Sequence, residues 1–538
     1  MDRINAQSVK EDLMIKGTNP IFRIDQPDPD VICVDDTFYM ICTSMHFFPG
    51  AEILRSYDLV NWEHASYVFD RLDSTPAQCL EGDEYIYGKG MWAASLRFHE
   101  GIFYVVFVCN DTHKTYLYRA SSIDGPWEKN YIEGFYHDCS LLFDEGRAYL
   151  VYGNTDIYLT ELKEDLTGPK EGGLHRLIVS DKGNPNLGYE GSHLYRINGR
   201  YYLFLIHSRR DMWKRTESCF SSDSLEGEFT GGDVFEDDLG FGNSGIAQGG
   251  IVEGPDGVWN AILFQDRGAI GRIPVLVPVK WTEDENGNPV PVFGKDGKAE
   301  KEFMTGSFRP DHACDFLYGR DDFRYDPEKM HAEDKLHYGS FGFKSFWQFN
   351  HEPDMKLVSA DREKGRLTVK TDRVVRNIFH AKNILTQKMI FPECEAEVTV
   401  CGTDLNDGDF AGLAAFQGDY ALVGIRREDG KYYAVMSSFT NTSGDIWKLG
   451  EEPATVEEKI EISEPVLKVS VFAHFGASPS EPDYAECYAY INDEKMKMGS
   501  GHKLRFRLDH FTGCRFGLFV MSEKTPGGSA SFSDFIYK

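Results

Sequence analysis

Three carboxylates precede predicted strands at nearly the same distance from the turn that follows each strand. Asp28 and Asp138 lie seven residues before the first residue of such a turn, and Glu190 lies eight residues before one. Converging carboxylates raise one another's pKa, and they persist mainly where chemistry needs them. Two of them can hydrolyse a glycosidic bond, because one protonates the leaving oxygen while the other activates a water molecule. A third carboxylate nearby can keep the acid protonated.

A simpler explanation exists for each residue taken alone. Asp28, Asp138 or Glu190 could be a turn residue, a cap on a loop or a calcium ligand. Turn residues and caps have no reason to recur at the same position in separate units. The match between three positions therefore favours catalysis over these alternatives.

The matching positions come from a five-fold repeat in the first 280 residues. Each unit contains an apolar strand, a two-residue turn and an aromatic-rich strand, and the units begin at Pro29, Ala94, Cys139, Ser192 and Gly249. Turns such as Asn-Gly and Asp-Gly predict hairpins, because both central residues take positive φ. The spacing of 45 to 65 residues between starts is typical of four-stranded propeller blades.

We therefore predict an all-β fold that begins with a five-bladed β-propeller. In such a ring the first strands surround a central channel and their starts share one rim, so the three acids converge there. The alternative is a β-sandwich with coincidental hairpins, which would not need five similar units.

Aromatic side chains support a sugar site, because sugars present apolar C–H faces that stack on rings. Trp92 holds the rim position of the second unit, and Phe48 follows the second strand of the first unit. Gln248 precedes the matching position of the fifth unit. A lone tryptophan would more simply belong to the core.

The chain divides into three predicted parts. These are an N-terminal segment over residues 1–18, the propeller over 19–325, and a second β domain over 336–538. Residues from about 283 to 335 are charged and rich in Gly and Pro, which predicts a long connection. After it, short alternating strands return at a spacing typical of a β-sandwich.

Composition excludes several classes of partner. The chain has 57 basic and 86 acidic side chains, a formal net charge of −29, so a nucleic acid or an anionic membrane is not expected as partner. No apolar leader opens the sequence, and the 11 cysteines are scattered without a CxxC motif. We expect reduced thiols, a cytoplasmic location and a small oligosaccharide substrate. The sequence carries no signal for the oligomeric state.

Several stretches resemble glycoside hydrolase family 43, the five-bladed propeller family of β-xylosidases and α-L-arabinofuranosidases. Among them are NPIFRIDQPDPDVICVDDTFYM, GMWAASLRFHEGIFYVVF, HDCSLLFDEGRAYLVYGN and YEGSHLYRINGRYYLF, and together they span about residues 19 to 281 in family order. The stretch FWQFNHEPDMKLVS and the strands after it resemble the β-sandwich that many members carry.

The resemblance implies a role for each candidate. Asp28 matches the general base, Asp138 the acid that tunes the pKa, and Glu190 the general acid. Arg272 matches an arginine that meets the sugar hydroxyls, and Trp92 matches a subsite wall. Members invert the anomeric centre, which implies about 6.5–9.5 Å between the base and the acid.

Two departures from the family pattern bear on calcium and on the substrate. Ala247, before Gln248, stands where relatives have a histidine that helps to hold calcium or water in the central channel, a place that His207 could take. No cofactor is expected, and calcium in the channel is possible. Met45 replaces an aromatic residue of the better-known β-xylosidases and is a candidate sugar contact.

These features favour an exo-acting, inverting α-L-arabinofuranosidase acting on arabinoxylan-derived oligosaccharides. The alternatives are a β-D-xylosidase, an enzyme with both activities, and a carbohydrate-binding propeller without turnover. A lectin would not need the acid triad.

Overall fold

The structure, a computed structural model, describes residues 14–325 and 341–538. These residues form β-strands joined by turns and a few 3-10 turns, with no α-helix among them. Four four-stranded sheets and one five-stranded sheet form the blades, and two larger sheets form the sandwich, so the predicted five-bladed propeller followed by a β-sandwich is confirmed. Within the same ranges, no helix is long and apolar enough to cross a membrane.

Each of the first four blades is a four-stranded antiparallel meander, and only in blade I does another short strand, Phe47–Phe48, lie between the second and third strands of the meander. Blade I contains Asp30–Val34, Thr37–Cys42, Gly50–Ser56 and Trp62–Phe69. Blade II contains Met91–His99, Ile102–Cys109, Lys114–Ala120 and Glu128–Ile132. Blade III contains Ser140–Asp144, Arg147–Asn154, Asp156–Glu161 and His175–Ser180. Blade IV contains Glu190–Ile197, Arg200–Ser208, Arg215–Ser222 and Thr230–Phe235. The meander follows from the short turns, since antiparallel neighbours need only two connecting residues.

Blade V has an interrupted first strand. Its strands are Ile246–Ala247, Ile251–Glu253, Trp259–Asp266, Arg272–Glu283 and Pro289–Phe293. Gly250 N–H donates to the Pro29 carbonyl at 3.0 Å, which joins this blade to the entry of blade I and closes the ring.

The turns have the backbone conformation that the sequence predicts. Both central residues have positive φ in Glu100-Gly101, Glu145-Gly146 and Asn198-Gly199. This conformation gives the two-residue hairpin the twist of its strands. The glycine takes it without steric cost.

Side chains from the first strands meet at the centre of the ring. Arg97 of blade II donates to the Asp30 carboxylate of blade I at 2.6 Å and to the Ser140 hydroxyl of blade III at 2.8 Å. His193 of blade IV contacts the other oxygen of Asp30 at 3.2 Å. Groups from four blades can meet in this way only around the axis. This buried ionic cluster therefore fills the channel below the rim.

The sandwich consists of one eight-stranded and one seven-stranded sheet. In spatial order, the larger contains Thr455–Ile462, Lys431–Phe439, Tyr420–Glu428, Asp409–Phe416, Arg515–Ser522, Leu385–Lys388, Gln348–Asn350 and Phe47–Phe48. The smaller contains Val358–Asp361, Arg366–Lys370, Ser529–Tyr537, Glu393–Cys401, Val466–His474, Tyr484–Ile491 and Glu494–Lys503. Their inner faces bury one apolar core of Val, Leu, Ala and Phe side chains.

One strand belongs to both domains. Phe47–Phe48 leaves blade I and pairs with Gln348–Asn350, with Phe48 opposite Phe349. The buried Arg515 guanidinium lies 3.5 Å from the centre of the Phe47 ring. The propeller and the sandwich therefore share a hydrogen-bonded sheet.

The predicted irregular connection is wrong in part. Within it lie Pro289–Phe293, the outer strand of blade V, and Glu302–Gly306, which pairs with Met14–Thr18. Prolines are tolerated on such edge strands, where their missing N–H faces away from the partner, so Pro content misleads there. Residues 1–13 of the predicted N-terminal segment and the predicted domain boundary between 325 and 336 involve positions outside the described residues. The domain limits stay predictions.

Candidate active site

A pocket of about 460 Å³ opens at the rim of the propeller axis. Its lining combines both domains: Asp28, Met45, Trp92, Ala93, Asn110, His137, Asp138, Asn154, Leu187, Glu190, Trp213, Arg215, Gln248, Phe264, Arg272, Trp447, Leu508 and Phe511. A larger cleft of about 650 Å³ lies among sandwich loops between residues 438 and 455, but its two carboxylates are exposed and no histidine lines it. The rim pocket, with converging buried acids, is therefore the candidate active site.

The rim residues share an unusual backbone conformation. Asp28, Asp138, Gly191 and Gln248 all have φ between 46° and 64°, in the left-handed region. Asp28 and Asp138 precede the first strands of blades I and III, Gly191 is the second residue of that strand in blade IV, and Gln248 lies between its two pieces in blade V. Non-glycine residues occupy this region at a cost, and such strain concentrates at functional sites. The repeated kink places the acids of three blades in one pocket, as their spacing in the sequence predicts.

Asp28 is held by two partners from the first and last blades. Arg272 Nη1 donates to both carboxylate oxygens, at 2.7 and 2.9 Å, and the Thr43 hydroxyl donates to Oδ2 at 2.7 Å. A carboxylate offers about four acceptor positions, so these bonds leave room for one more donor. The orientation of Asp28 is therefore fixed while Oδ1 can still accept a proton from water.

Asp138 and Glu190 face one another across His137. The His137 Nε2 atom lies 3.7 Å from Asp138 Oδ2 and 3.6 Å from Glu190 Oε2. Burial would lower the pKa of His137, but the negative charges of Asp138, Glu190 and Asp28 raise it to about 9. Imidazolium is therefore its form at neutral pH, and its charge compensates part of the repulsion between the acids.

The environment of Asp138 differs from that of an exposed carboxyl group. Burial raises the pKa of Asp138, the His137 charge lowers it, and the charges of Glu190 and Asp28 raise it further. The Gly191 N–H donates to its Oδ2 at 3.2 Å. Glu190 begins blade IV, and its Oε2 accepts a hydrogen bond of 2.5 Å from the Asn154 side chain. Because this bond uses Oε2, the other oxygen, Oε1, remains available for a further contact.

The sandwich supplies one wall of the pocket. Phe511 packs 5.6 Å from Trp92, and the Arg272 guanidinium lies 4.5 Å from the centre of the Phe511 ring. Arg272 also donates to the Phe511 carbonyl at 3.3 Å. An arginine that contacts Asp28 is thus fixed by the second domain.

A buried carboxylate links that wall to the propeller. Asp25 Oδ1 accepts the N–H of Arg272 at 2.7 Å, and its Oδ2 accepts the N–H of Gly513 at 2.8 Å. Burial raises the pKa of Asp25, against the opposing effects of Arg272 and the two N–H groups. A β-carbon at Gly271 would lie 2.3 Å from Asp25 Oδ1, so only glycine fits this bend.

We expect Asp25→Ala to weaken both stability and turnover. The change leaves two buried N–H groups without acceptors, which costs about 3 kcal/mol, and frees the backbone of Arg272. Urea unfolding measures the first effect and kcat the second. The matched control is Asp70→Ala, which removes an exposed carboxylate. Equal unfolding midpoints for the two variants would contradict the assignment.

Most residues predicted to contact sugar lie at the pocket. Trp92, Met45, Gln248 and Arg272 line it together with the three acids. Phe48 is a correction: it is fully buried, packs at 5.9 Å against Phe69 and pairs with the sandwich. Its ring is buried at the interface between the two domains and does not line the pocket.

Sequence reasoning missed several lining residues. His137 immediately precedes Asp138 in the stretch HDCS, and this adjacency was a usable signal. Asn154 ends the second strand of blade III, opposite the entry to blade IV. Trp447 and Phe511 lie in sandwich loops far along the chain, where no repeat position marks them.

The residues proposed for calcium do not form a calcium site. His207 contacts Asp181 at 3.4 Å and Asp233 at 2.9 Å, and Ala247 supplies no ligand. In the channel, Asp30 uses its two oxygens for Arg97 and His193, so the guanidinium supplies the positive charge there. No step below involves calcium.

Two clusters in the described ranges have the spacing of metal ligands. One comprises Glu63, His312 and Cys314, and the other comprises His137, Asp138 and Glu190. In the first, Glu63 already bonds Arg55 at 2.7 Å, which disfavours a cation. The second cluster contains the catalytic candidates Asp138 and Glu190, and the positively charged His137 lies between their carboxylates, which disfavours a metal cation there.

A propeller pocket lined by opposed buried carboxylates and aromatic rings defines a glycosidase. The chain belongs to glycosyl hydrolases family 43, whose model matches residues 17–286. A second family model, the beta xylosidase C-terminal Concanavalin A-like domain, matches residues 340–538. The enzyme thus has xylosidase/arabinosidase-type glycosidase activity on an oligosaccharide substrate.

Three similar proteins cover nearly the whole chain. A protein named Beta-xylosidase from Formosa agariphila is 24% identical over 96% of this chain and 90% of its own. A solved structure named Bifunctional GH43-CE, from Bacteroides eggerthii, has a TM-score of 0.85 and 36% identity over 97% of this chain. This chain spans 63% of that bifunctional protein.

The third similar protein is an engineered GH43 glycoside hydrolase described as displaying both endo-xylanase and exo-arabinofuranosidase activity. Its TM-score is 0.83 and its identity 25%, over 97% of this chain and 100% of that one. The two solved structures therefore share the fold of this chain over 97% of its length.

Proposed function

We propose that the enzyme is an exo-acting, inverting hydrolase that removes terminal α-L-arabinofuranosyl residues from arabinoxylan-derived oligosaccharides. The observation that carries the proposal is the meeting of Asp28, Asp138 and Glu190 in one pocket whose side is closed by sandwich residues. A pocket walled in this way accepts the end of a sugar chain more readily than its middle. The engineered relative, whose description gives it both endo-xylanase and exo-arabinofuranosidase activity, supports an arabinofuranoside as one substrate of this fold.

In this mechanism each acid has one task. Asp28 accepts a proton from a water molecule as the water attacks the anomeric carbon, and Arg272 with Thr43 keeps the carboxylate oriented. Glu190 donates its proton to the departing oxygen, and Asn154 orients its other oxygen. Water attacks from the face opposite the leaving group, so the configuration inverts.

Asp138 and His137 lie beside the proton donor, and one ligand atom of each lies within 4.8 Å of a Glu190 carboxylate oxygen. The positive charge of His137 favours the ionised form of Asp138. In this proposal Glu190 donates the proton while Asp138 acts as its charged neighbour, two carboxyl groups with two roles.

A β-D-xylosidase is the second candidate. The relative from Formosa agariphila, which aligns with 96% of this chain, carries that name. The arabinofuranosidase is favoured by Met45, which lines the pocket with an unbranched, adaptable side chain in place of an aromatic ring. Both substrates end in a neutral pentose, so the same acids serve either reaction.

Two measurements test the proposal. Aryl α-L-arabinofuranoside and aryl β-D-xyloside are compared by kcat/KM, and we expect the arabinofuranoside to be preferred. Proton NMR of the first sugar formed should show the inverted anomer before mutarotation. A retained anomer would contradict the mechanism, and a preference for the xyloside would support the second candidate.

Replacement His137→Gln should move the acidic limb of the kcat/KM profile to higher pH. Burial raises the pKa of Asp138 and the His137 charge lowers it, so removal of that charge raises it further. Asp138 then ionises only at higher pH, so the active form of the enzyme, with Asp138 ionised, becomes populated only at higher pH. The profile is measured from about pH 4 to 9.

The control for this variant is His113→Gln. His113 is exposed and stacks on Phe135 outside the pocket, so its loss should leave the limb in place. An unchanged limb in His137→Gln, or one displaced to lower pH, would show that His137 does not set the charge of Asp138.

A further inference from the structure

Two exposed tryptophans flank the mouth of the pocket. In the part of the chain that the structure describes, Trp213 and Trp447 are the tryptophans with more than half of their surface exposed, at 54% and 52%. Both line the pocket. Large exposed apolar groups clustered at a site mark a place where a ligand or partner is bound.

The two rings are presented by different domains. Trp213 lies between strands Arg200–Ser208 and Arg215–Ser222 of blade IV, and Trp447 lies between strands Lys431–Phe439 and Thr455–Ile462 of the sandwich. Hydrogen bonds hold both loops: Lys214 N–H donates to the Ser208 hydroxyl at 2.8 Å. Similarly, Trp447 N–H donates to Asp445 Oδ1 at 2.9 Å.

Trp447 and Trp213 lie on the sides of the pocket that carry Asp28 and Glu190, respectively. Trp447 packs 5.7 Å from Phe511, which also contacts Arg272 and Trp92. The aromatic wall therefore runs from the arginine that holds Asp28 outward to Trp447. Trp213 lies beside Arg215, 5.8 Å from its guanidinium, on the blade that carries Glu190.

The direction of the substrate follows from these contacts. The terminal pentose occupies the deep end, near Asp28, and the departing oxygen must reach Glu190. The released part of the substrate therefore extends from Glu190 toward the rim. The rim offers two aromatic faces and lies on a protein with a formal net charge of −29, which favours a neutral, apolar-faced group over an anion.

We propose that Trp213 and Trp447 form a leaving-group subsite that binds a neutral pyranose ring of the sugar chain. This inference rests on the proposed hydrolysis of a terminal pentose. A pyranose with equatorial hydroxyls has two flat C–H faces, which stack on indole rings, while its hydroxyls remain in water at the open mouth. The enzyme therefore recognises at least two sugar units, one on each side of the bond that is cleaved.

The test compares two substrates that share the terminal pentose. One is the pentose linked to xylotriose, and the other is the matching pentosyl fluoride, whose leaving group is too small to reach either ring. Trp213→Ala and Trp447→Ala should each lower kcat/KM for the oligosaccharide by about tenfold more than for the fluoride, and the double variant by about a hundredfold more. Replacement of either residue by Phe should restore most of the loss.

Neighbouring residues provide matched controls. Met212 and Ile446 are exposed apolar side chains next to the two tryptophans and do not line the pocket. Met212→Ala and Ile446→Ala should leave kcat/KM for both substrates within about twofold. Thermal unfolding of every variant separates a loss of fold from a loss of binding.

The outcomes separate this inference from the proposed function. Equal losses on the oligosaccharide and the fluoride, with the folded state retained, would overturn the subsite while leaving the hydrolase proposal intact. A wild-type enzyme that releases pentose from neither substrate would overturn both. A selective loss on the oligosaccharide in the alanine variants, restored by Phe, supports the subsite.

Discussion

Replacement Asp28→Asn should lower kcat by about 10³-fold for every pentoside substrate. The amide cannot accept a proton from the attacking water, so the loss is independent of the leaving group. Asparagine tolerates the left-handed backbone that Asp28 adopts at φ 51°, and its oxygen can still accept the Arg272 hydrogen bond. The fold and substrate binding should therefore remain while turnover is lost.

Two measurements make this expectation specific. Equilibrium binding of the product pentose, followed by calorimetry, should be retained within a few fold in Asp28→Asn. Asp35→Asn is the control, because Asp35 also has positive φ, at 54°, but lies in the turn of blade I at the other end of the strand. Activity in Asp28→Asn within tenfold of wild type would exclude Asp28 as the base.

Replacement Glu190→Gln should instead produce a loss that depends on the leaving group. A xylo-oligosaccharide leaves as a poorly stabilised alkoxide without a proton, so we expect kcat/KM to fall by about 10³- to 10⁴-fold. A dinitrophenolate leaves without protonation, and kcat/KM for the corresponding aryl pentoside should fall by less than about tenfold. The amide oxygen of the glutamine can still accept the hydrogen bond from the Asn154 side chain, so the variant keeps this contact.

The comparison of the two acids distinguishes their roles. Asp28→Asn should be slow on both substrates, whereas Glu190→Gln should be slow mainly on the oligosaccharide. Glu100→Gln, which alters an exposed turn residue of blade II, is the control and should match wild type on both. Equal losses in Glu190→Gln on the two substrates would show that Glu190 does not protonate the leaving group.

The repeat explains why much of the fold and the acid triad could be predicted from the sequence. Four of the five blades have the same kink at or near the start of the first strand, so a position in one unit predicts a position in space. Asp28 and Asp138 occupy that kink, and Glu190 directly precedes Gly191 in the same conformation. Local backbone chemistry was therefore sufficient to bring three distant residues to one pocket.

Contacts between the two domains could not be predicted in this way. Phe48 follows a strand of the first unit, and only its pairing with Phe349 of the sandwich shows why its ring is buried. Trp447 and Phe511 reach the pocket through loops of a domain that lacks the repeat. Such long-range packing leaves no periodic pattern in the residues that form it.

The ionic cluster at the axis was also missed. Arg97 and His193 lie on inward-facing strands, but their meeting with Asp30 depends on the radius at which five blades close. The sequence allowed for calcium in the channel, with His207 as a ligand, whereas the structure places the Arg97 guanidinium beside Asp30 there.

The strand Phe47–Phe48, which hydrogen-bonds to the sandwich, limits how this protein can be cut or recombined. Truncation after the last blade would leave the segment without Gln348–Asn350 and uncover its backbone donors and acceptors. Exposed strand edges invite intermolecular pairing, so the shortened polypeptide would tend to aggregate. Chimaeras designed to exchange substrate preference between relatives should therefore transfer the propeller and the sandwich together as one unit.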